Sequence, residues 1–187
     1  KRMGQQTKQL LPWGRSTVLG QTIANVQQTA VHNHLVITGH EAEAVNHIAQ
    51  AAGVQTVHNP DFATGEMISS LQTAVRALDE SVTAVLVVLA DQPMIESQTM
   101  DLLLEAYWQG HSDLIAPVFA GKRGNPVLIG RRYFDELLAL PPTDAPRTLL
   151  RRHADKLHLV EVPTDAILRD LDDPQQYARE QKRWGEA

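Results

Sequence analysis

The stretch that most constrains this chain runs from Ser81 to Met94, Ser-Val-Thr-Ala-Val-Leu-Val-Val-Leu-Ala-Asp-Gln-Pro-Met. From Val82 to Ala90 it is almost wholly apolar and rich in Val and Leu, the pattern of a strand covered on both faces of a parallel sheet. It is too short to span a bilayer. The run stops at an acid, Asp91, and Pro93 prevents the ladder from continuing. Ligands of open α/β sheets gather at the carboxyl ends of the strands, so Asp91 is placed as a metal- or phosphate-site carboxylate. The same position also suits a residue that caps the next helix.

The flanking sequence alternates in the same way. Helical spacing is predicted over Val18–Thr29, Glu41–Ala52, Met67–Asp79, Ser97–Gln109, Arg132–Leu140 and Pro146–His153, with a last helix from Pro174. Strands are predicted at Leu35–Thr38, Val54–Val57, Leu114–Phe119, Pro126–Ile129 and Leu157–Val162. Strands alternating with helices make βαβ units, so the expected fold is a layered α/β/α domain with a mostly parallel sheet. The pair of strands around Gly124 suggests one antiparallel excursion. No repeat or linker divides the chain, and residues 1–187 are expected to form a single domain.

Composition narrows the partners. A net charge of -5 gives no basic footprint, so nucleic acid is not an expected partner. The absence of cysteine rules out disulfides and thiolate metal sites and agrees with a cytoplasmic location. No apolar run reaches transmembrane length, and no membrane association is expected.

Four loops carry unusual residue choices. Arg2 and Lys8 flank a glycine-bearing segment that can hold a polyphosphate, with the lysine as a point charge, or can simply be solvated. Ser69 and Ser70 open a helix after Gly65, where a hydroxyl can meet a ligand; Thr64 can equally cap that helix. Gly124-Asn125-Pro126 allows close backbone approach and an amide to read a base or sugar, and is also good turn chemistry. In Leu168-Arg169-Asp170-Leu171-Asp172-Asp173-Pro174, Asp173 and Pro174 fit a helix start. Asp170 and Asp172 then point the same way along an extended segment. Together with Asp91 they suit Mg²⁺, which takes few protein carboxylates and completes its shell with phosphate oxygens and water.

The ordered succession of these motifs resembles the Rossmann-like, glycosyltransferase-A-like nucleotidyltransferases that build molybdenum cofactor dinucleotides, most closely the molybdenum cofactor cytidylyltransferases. That family opens with a strand and the loop Leu-Ala-Ala-Gly-x-Ser-x-Arg-Met-Gly, then Lys-x-Leu. Here Arg2-Met3-Gly4 and Lys8-Gln9-Leu10-Leu11-Pro12 match the second half, and the resemblance implies that the strand and half-loop belong before residue 1. Further matches are Gly39-His40, Asn59-Pro60, Gly65-Glu66-Met67, Ser69-Ser70-Leu71, Leu89-Ala90-Asp91-Gln92-Pro93 and Gly124-Asn125-Pro126. Asp170-Leu171-Asp172-Asp173-Pro174 stands where the family has Asp-x-Asp-Thr-Pro. Pro142-Thr143-Asp144-Ala145-Pro146-Arg147 departs from Gly-Asp-x-Gly-Ala-Arg in losing both glycines.

What the resemblance implies is transfer of CMP from CTP to the phosphate of molybdopterin, with release of pyrophosphate. Lys8 and Arg2 would offset triphosphate charge. Asp91 would hold Mg²⁺, with Asp172 as the second carboxylate and Asp170 as a further candidate. Ser69, Asn125, Gly124 and Asn59 would contact substrate. The histidines have no metal-ligand spacing and receive no catalytic role. Lys8-Gln9-Leu10-Leu11 and Leu89-Ala90-Asp91-Gln92-Pro93 resemble the CTP-using branch; the GTP-using branch prefers Asp-Lys-Gly and Cys-Asp-x-Pro. Alternatives within the fold are a guanylyltransferase and a sugar-phosphate nucleotidyltransferase. From another class, a non-catalytic nucleotide-binding partner would serve a molybdoenzyme or its chaperone.

Overall fold

A computed structural model describes residues 7–142 and 144–185. It opens with a 3-10 turn, Lys8–Leu10, and a small hairpin of β1 (Pro12–Trp13) and β2 (Ser16–Thr17). Helix α1 (Val18–Gln27) starts where the Thr17 hydroxyl accepts the amide of Gly20. There follow β3 (Leu35–Thr38), α2 (Ala42–Ala51), β4 (Gln55–His58) and α3 (Met67–Arg76). The apolar stretch forms β5 (Ala84–Val87), followed by α4 (Ser97–Trp108) and β6 (Leu114–Phe119). A hairpin through β7 (Lys122–Arg123) returns as β8 (Val127–Gly130). Then come α5 (Phe134–Leu138), α6 (Pro146–Arg152), β9 (His158–Glu161) and, after a 3-10 turn at Asp165–Leu168, α7 (Pro174–Gly185).

The α/β layering follows the expectation, and the sheet is mixed. In one ladder the order is β5-β8-β6-β7, with β9 on β6. Strand β8 runs antiparallel to both β5 and β6, and β9 is parallel to β6. Strands β5, β6 and β9 therefore share one direction, and β8 is the reversed strand that the sequence around Gly124 announces. A second ladder pairs β3 and β4 in parallel.

The apolar run is a shorter strand than its composition suggests. Its pairing with β8 runs from Ala84↔Gly130 to Val87↔Val127, so the ladder ends where the four residues of β8 end. Among the described residues β5 sits at one end of its ladder rather than at the centre, and its four residues are half-buried. Its alternation still works as a strand's should. Val85 and Val87 pack against Ile68, Leu71, Leu137 and Leu149, while Leu86 and Val88 pack against Trp13, Met94 and Met100. Helices on both faces thus leave the carboxyl end of β5, and Asp91 beyond it, between two apolar clusters. Among the described residues no helix is long and apolar enough to cross a membrane.

Candidate active site

Three distant parts of the chain meet beyond β5. The first is the segment after β5, where Ala90 packs with Leu10, Val36 and the α1–α2 cluster, which places Asp91 beside the Lys8–Leu10 turn. The loop that follows is rigid, because the buried amide of Asn25 donates to the carbonyls of Pro93 (2.8 Å) and Ile95 (2.9 Å). The second part is Lys8 itself. The third is the segment 169–173, which enters α7.

Helix α7 holds the second and third parts together. The Asp173 carboxylate accepts from the amides of Gln175 and Gln176, both at 2.8 Å, with Pro174 at the first helical position, so the helix start is capped as the sequence suggests. One face of the helix then covers the N-terminal hairpin. Tyr177 and Gln181 both donate to the carbonyl of Pro12, and the buried Trp13 ring lies 6.3 Å from Tyr177 and 5.8 Å from Trp184. Further along, Glu180, only 5% exposed, takes Arg169 at 2.5 Å and Arg183 at 3.3 Å. Removing one partner of such a buried pair strands the other charge.

The result is a cation between carboxylates. Lys8 Nζ lies 2.5 Å from Asp172 Oδ1 and 3.8 Å from Asp91 Oδ2. Asp170 is held alongside, its Oδ1 accepting from Gln92 Nε2 at 3.1 Å. Burial pushes the Asp91 carboxyl above its ordinary value; Lys8 opposes the shift, and the negative charges of Asp170 and Asp172 add to it.

That donor set fits a hard divalent cation. Asp91 and Asp172 offer hard oxygens, and among the described residues no group of three His, Cys, Asp or Glu side chains is placed to hold a metal ion, so any ion here takes at most two protein carboxylates. A site with two carboxylates suits Mg²⁺-type coordination completed by phosphate and water.

The remaining expected site residues divide. Arg2 lies outside the described residues. Asn59 is 1% exposed and fully engaged: Nδ2 donates to Ser69 Oγ (2.8 Å) and Ser70 Oγ (3.1 Å), and Oδ1 accepts from the Asp61 amide (3.0 Å) and Thr73 Oγ1 (3.4 Å). These bonds fix the loop before α3. Ser69 is also buried, and its hydroxyl donates to the Glu66 carbonyl at 2.9 Å. It faces that loop, and Ser70 is the more exposed hydroxyl of the pair. Helix α3 begins after Glu66 rather than being capped by Thr64. We expect Asn59→Ala to cost about 2 kcal/mol of stability, the penalty for stranding buried hydroxyls and an amide, as measured by urea unfolding.

Gly124 does make a close backbone approach, but to the protein. A Cβ there would lie 2.1 Å from the Ile167 carbonyl oxygen, and the Asn125 amide donates to that same oxygen at 3.3 Å. Gly124 therefore seats the 3-10 turn that leads into Asp170 and Asp172. The residues that sequence reasoning passes over are Gln92, Arg169, Glu180, Tyr177 and Gln181, which hold the site from behind. Gln92 and Arg169 stand inside quoted stretches; Tyr177 and Gln181 carry no local signal, because their partner Pro12 is far away in sequence.

A family model for the MobA-like NTP transferase domain matches residues 1–157. The chain belongs to that family. It is a nucleotidyltransferase, and its likeness to cytidylyltransferases extends to curated relatives and solved structures. It is 25% identical over 186 residues to the molybdenum cofactor cytidylyltransferase of Escherichia coli (strain K12), covering 99% of this chain and 92% of that protein. It is 26% identical over 186 residues to the nicotine blue oxidoreductase of Paenarthrobacter nicotinovorans, covering 96% and 90%. Among solved structures, the Rv0371c homolog from Mycobacterium sp. strain JC1 matches with TM-score 0.85 at 24% identity, over 99% of this chain and 91% of that one. Rv0371c of Mycobacterium tuberculosis H37Rv in complex with manganese matches with TM-score 0.82 at 23% identity, over 96% and 94%. Within this member of the MobA-like NTP transferase family, Lys8, Asp91 and Asp172 meet beyond β5.

Proposed function

We propose that this MobA-like NTP transferase is a molybdenum cofactor cytidylyltransferase. It joins CMP from CTP to the terminal phosphate of molybdopterin and releases pyrophosphate. The observation that carries this reading is the meeting of Lys8, Asp91 and Asp172 beyond β5. The reacting partners are both anions, so the protein's main task is to neutralise charge and align them. A terminal phosphate oxygen of the acceptor forms the new bond to the α-phosphorus of CTP, and the bond from that phosphorus to the bridging oxygen of the pyrophosphate breaks. The attacking phosphate is already ionised near neutral pH, so no side chain has to remove a proton.

Asp91 and Asp172 would hold Mg²⁺, with Asp170 next to them; when bound, the ion supplies charge neutralisation on the phosphates. The manganese complex of Rv0371c supports a divalent ion in this fold. Lys8 moves its charge from the carboxylates to the triphosphate, with Arg2 as its partner from the preceding loop. Asn125 would complete the substrate contacts, with Ser69 and Asn59 shaping the loop before α3 from behind. The protein would act in the cytoplasm.

The test is pyrophosphate release with Mg²⁺ and molybdopterin, offering CTP, GTP and ATP separately. We expect release with CTP and at least tenfold less with GTP, the scale of discrimination a single pocket commonly provides. Turnover with GTP alone would move the protein to the guanylyltransferase branch. Binding of CTP without release from any nucleotide would point to a maturation partner.

A further inference from the structure

Gln92 follows the proposed metal ligand Asp91, yet it faces away from solvent and is 2% exposed. Its Nε2 reaches across 77 residues of sequence to the Arg169 carbonyl at 3.0 Å, and across 78 to Asp170 Oδ1 at 3.1 Å. Both acceptors are oxygens, so the amide can sit in only one orientation; turned over, it would bring oxygen against oxygen. Its Oε1 is buried and has no hydrogen-bond partner among the described residues. A buried acceptor left unmet is unfavourable, and a fold retains one where the geometry around it is needed.

The backbone that carries Gln92 is anchored independently of the tail. Its amide donates to the Leu89 carbonyl at 3.3 Å, its carbonyl accepts from the Ile95 amide at 3.2 Å, and Asn25 pins the next turn. On the far side, the tail is fastened at Ile167 by Gly124 and at Asp173 by the start of α7. Between those fastenings lie Asp170 and Asp172, and the contacts of Gln92 fall on residues 169 and 170.

We propose that Gln92 is a positioning residue that sets the separation between Asp91 and Asp172. It acts on the site through the tail segment, with no contact to the nucleotide. This rests on the reading of Asp91 and Asp172 as the cation-holding pair. An aliphatic side chain of similar volume fills the same space but cannot hold residues 169 and 170. Glutamate at this position would set a carboxylate against Asp170 and a carbonyl.

The test is binding of Mn²⁺ to the full chain with saturating CTP and no acceptor, followed by electron paramagnetic resonance. The proteins are the wild type, Gln92→Leu, Gln92→Met, Asp172→Asn and the two double variants. In the wild-type background, Gln92→Leu or Gln92→Met should weaken Mn²⁺ about 10–100-fold, the usual effect of losing a residue that orients a ligand. CTP binding without metal should stay within about twofold, and in the Asp172→Asn background the same changes should also add less than about twofold. That coupling separates positioning from a general loss of stability, which would weaken binding equally in both backgrounds. Equal weakening in both backgrounds would overturn the proposal, as would unchanged Mn²⁺ affinity with a lowered melting temperature. If the wild type binds no Mn²⁺, or Asp172→Asn leaves binding intact, the cation-pair reading fails first and this inference falls with it.

Discussion

Asp91→Asn should remove activity and at the same time make the metal-free protein harder to melt. The carboxylate is half-buried beside two other acids, and its pKa is raised above 3.8 because desolvation outweighs the attraction of Lys8. The folded state therefore binds that proton more tightly than the unfolded chain. Stability falls as pH rises from 3.8 through the folded value and then stays level, so at neutral pH the whole penalty is present. Asparagine fills nearly the same volume without the charge. In chelator at pH 7 the variant should melt higher than the wild type, and the gap should close as pH falls toward 4. Turnover with Mg²⁺ should meanwhile drop about 10³-fold, as for loss of one main charge-stabilising group. Calorimetry across pH together with pyrophosphate release checks both halves. A lower melting point at neutral pH would show that the Lys8 contact dominates instead.

Gly124→Ala should damage the site from a distance. Its new methyl would lie 2.1 Å from the Ile167 carbonyl oxygen and 2.7 Å from the carbonyl carbon, so backbone has to move. Overpacking of that kind costs about 3 kcal/mol. For a chain of this size that lowers the melting temperature by roughly 6–12 °C. The shift falls on the turn that delivers Asp170 and Asp172, so Mg²⁺ dependence should weaken in the protein that remains folded. Thermal melts and a Mg²⁺ titration of turnover measure the two effects. A stable variant with unaltered Mg²⁺ dependence would show that the tail is seated by α7 alone.

These cases show what a single sequence carries. Asp91 could be placed because an apolar strand ends abruptly in an acid, and Lys8 and Asp172 because their motifs stand in order with it. The layers followed from period and punctuation, including the reversed strand after Gly124. What the sequence did not reveal depends on direction. An amide and a hydroxyl near a helix start read the same whether they face a ligand or each other, and in the fold Asn59 donates to Ser69. Gly124 announces close approach without saying to what, and Ile167 lies too far along the chain to be paired with it by eye. The apolar run from Val82 to Ala90 could not show that its strand stops at Val87, since that limit belongs to β8. Gln92 was visible only as part of a motif; its work is done on residues 169 and 170.

The contact between Lys8 and Asp172 also has a meaning in time. These residues are separated by 164 positions, and the helix that brings them together begins after the second of them. During synthesis Lys8 and the Asp91 strand emerge early, but they remain an open half-site until α7 has left the ribosome and closed over Pro12. If the proposed reading holds, completion of the site is a late event in the protein's own biogenesis, and a chain clipped within α7 would keep the sheet while losing the contact between Lys8 and Asp172.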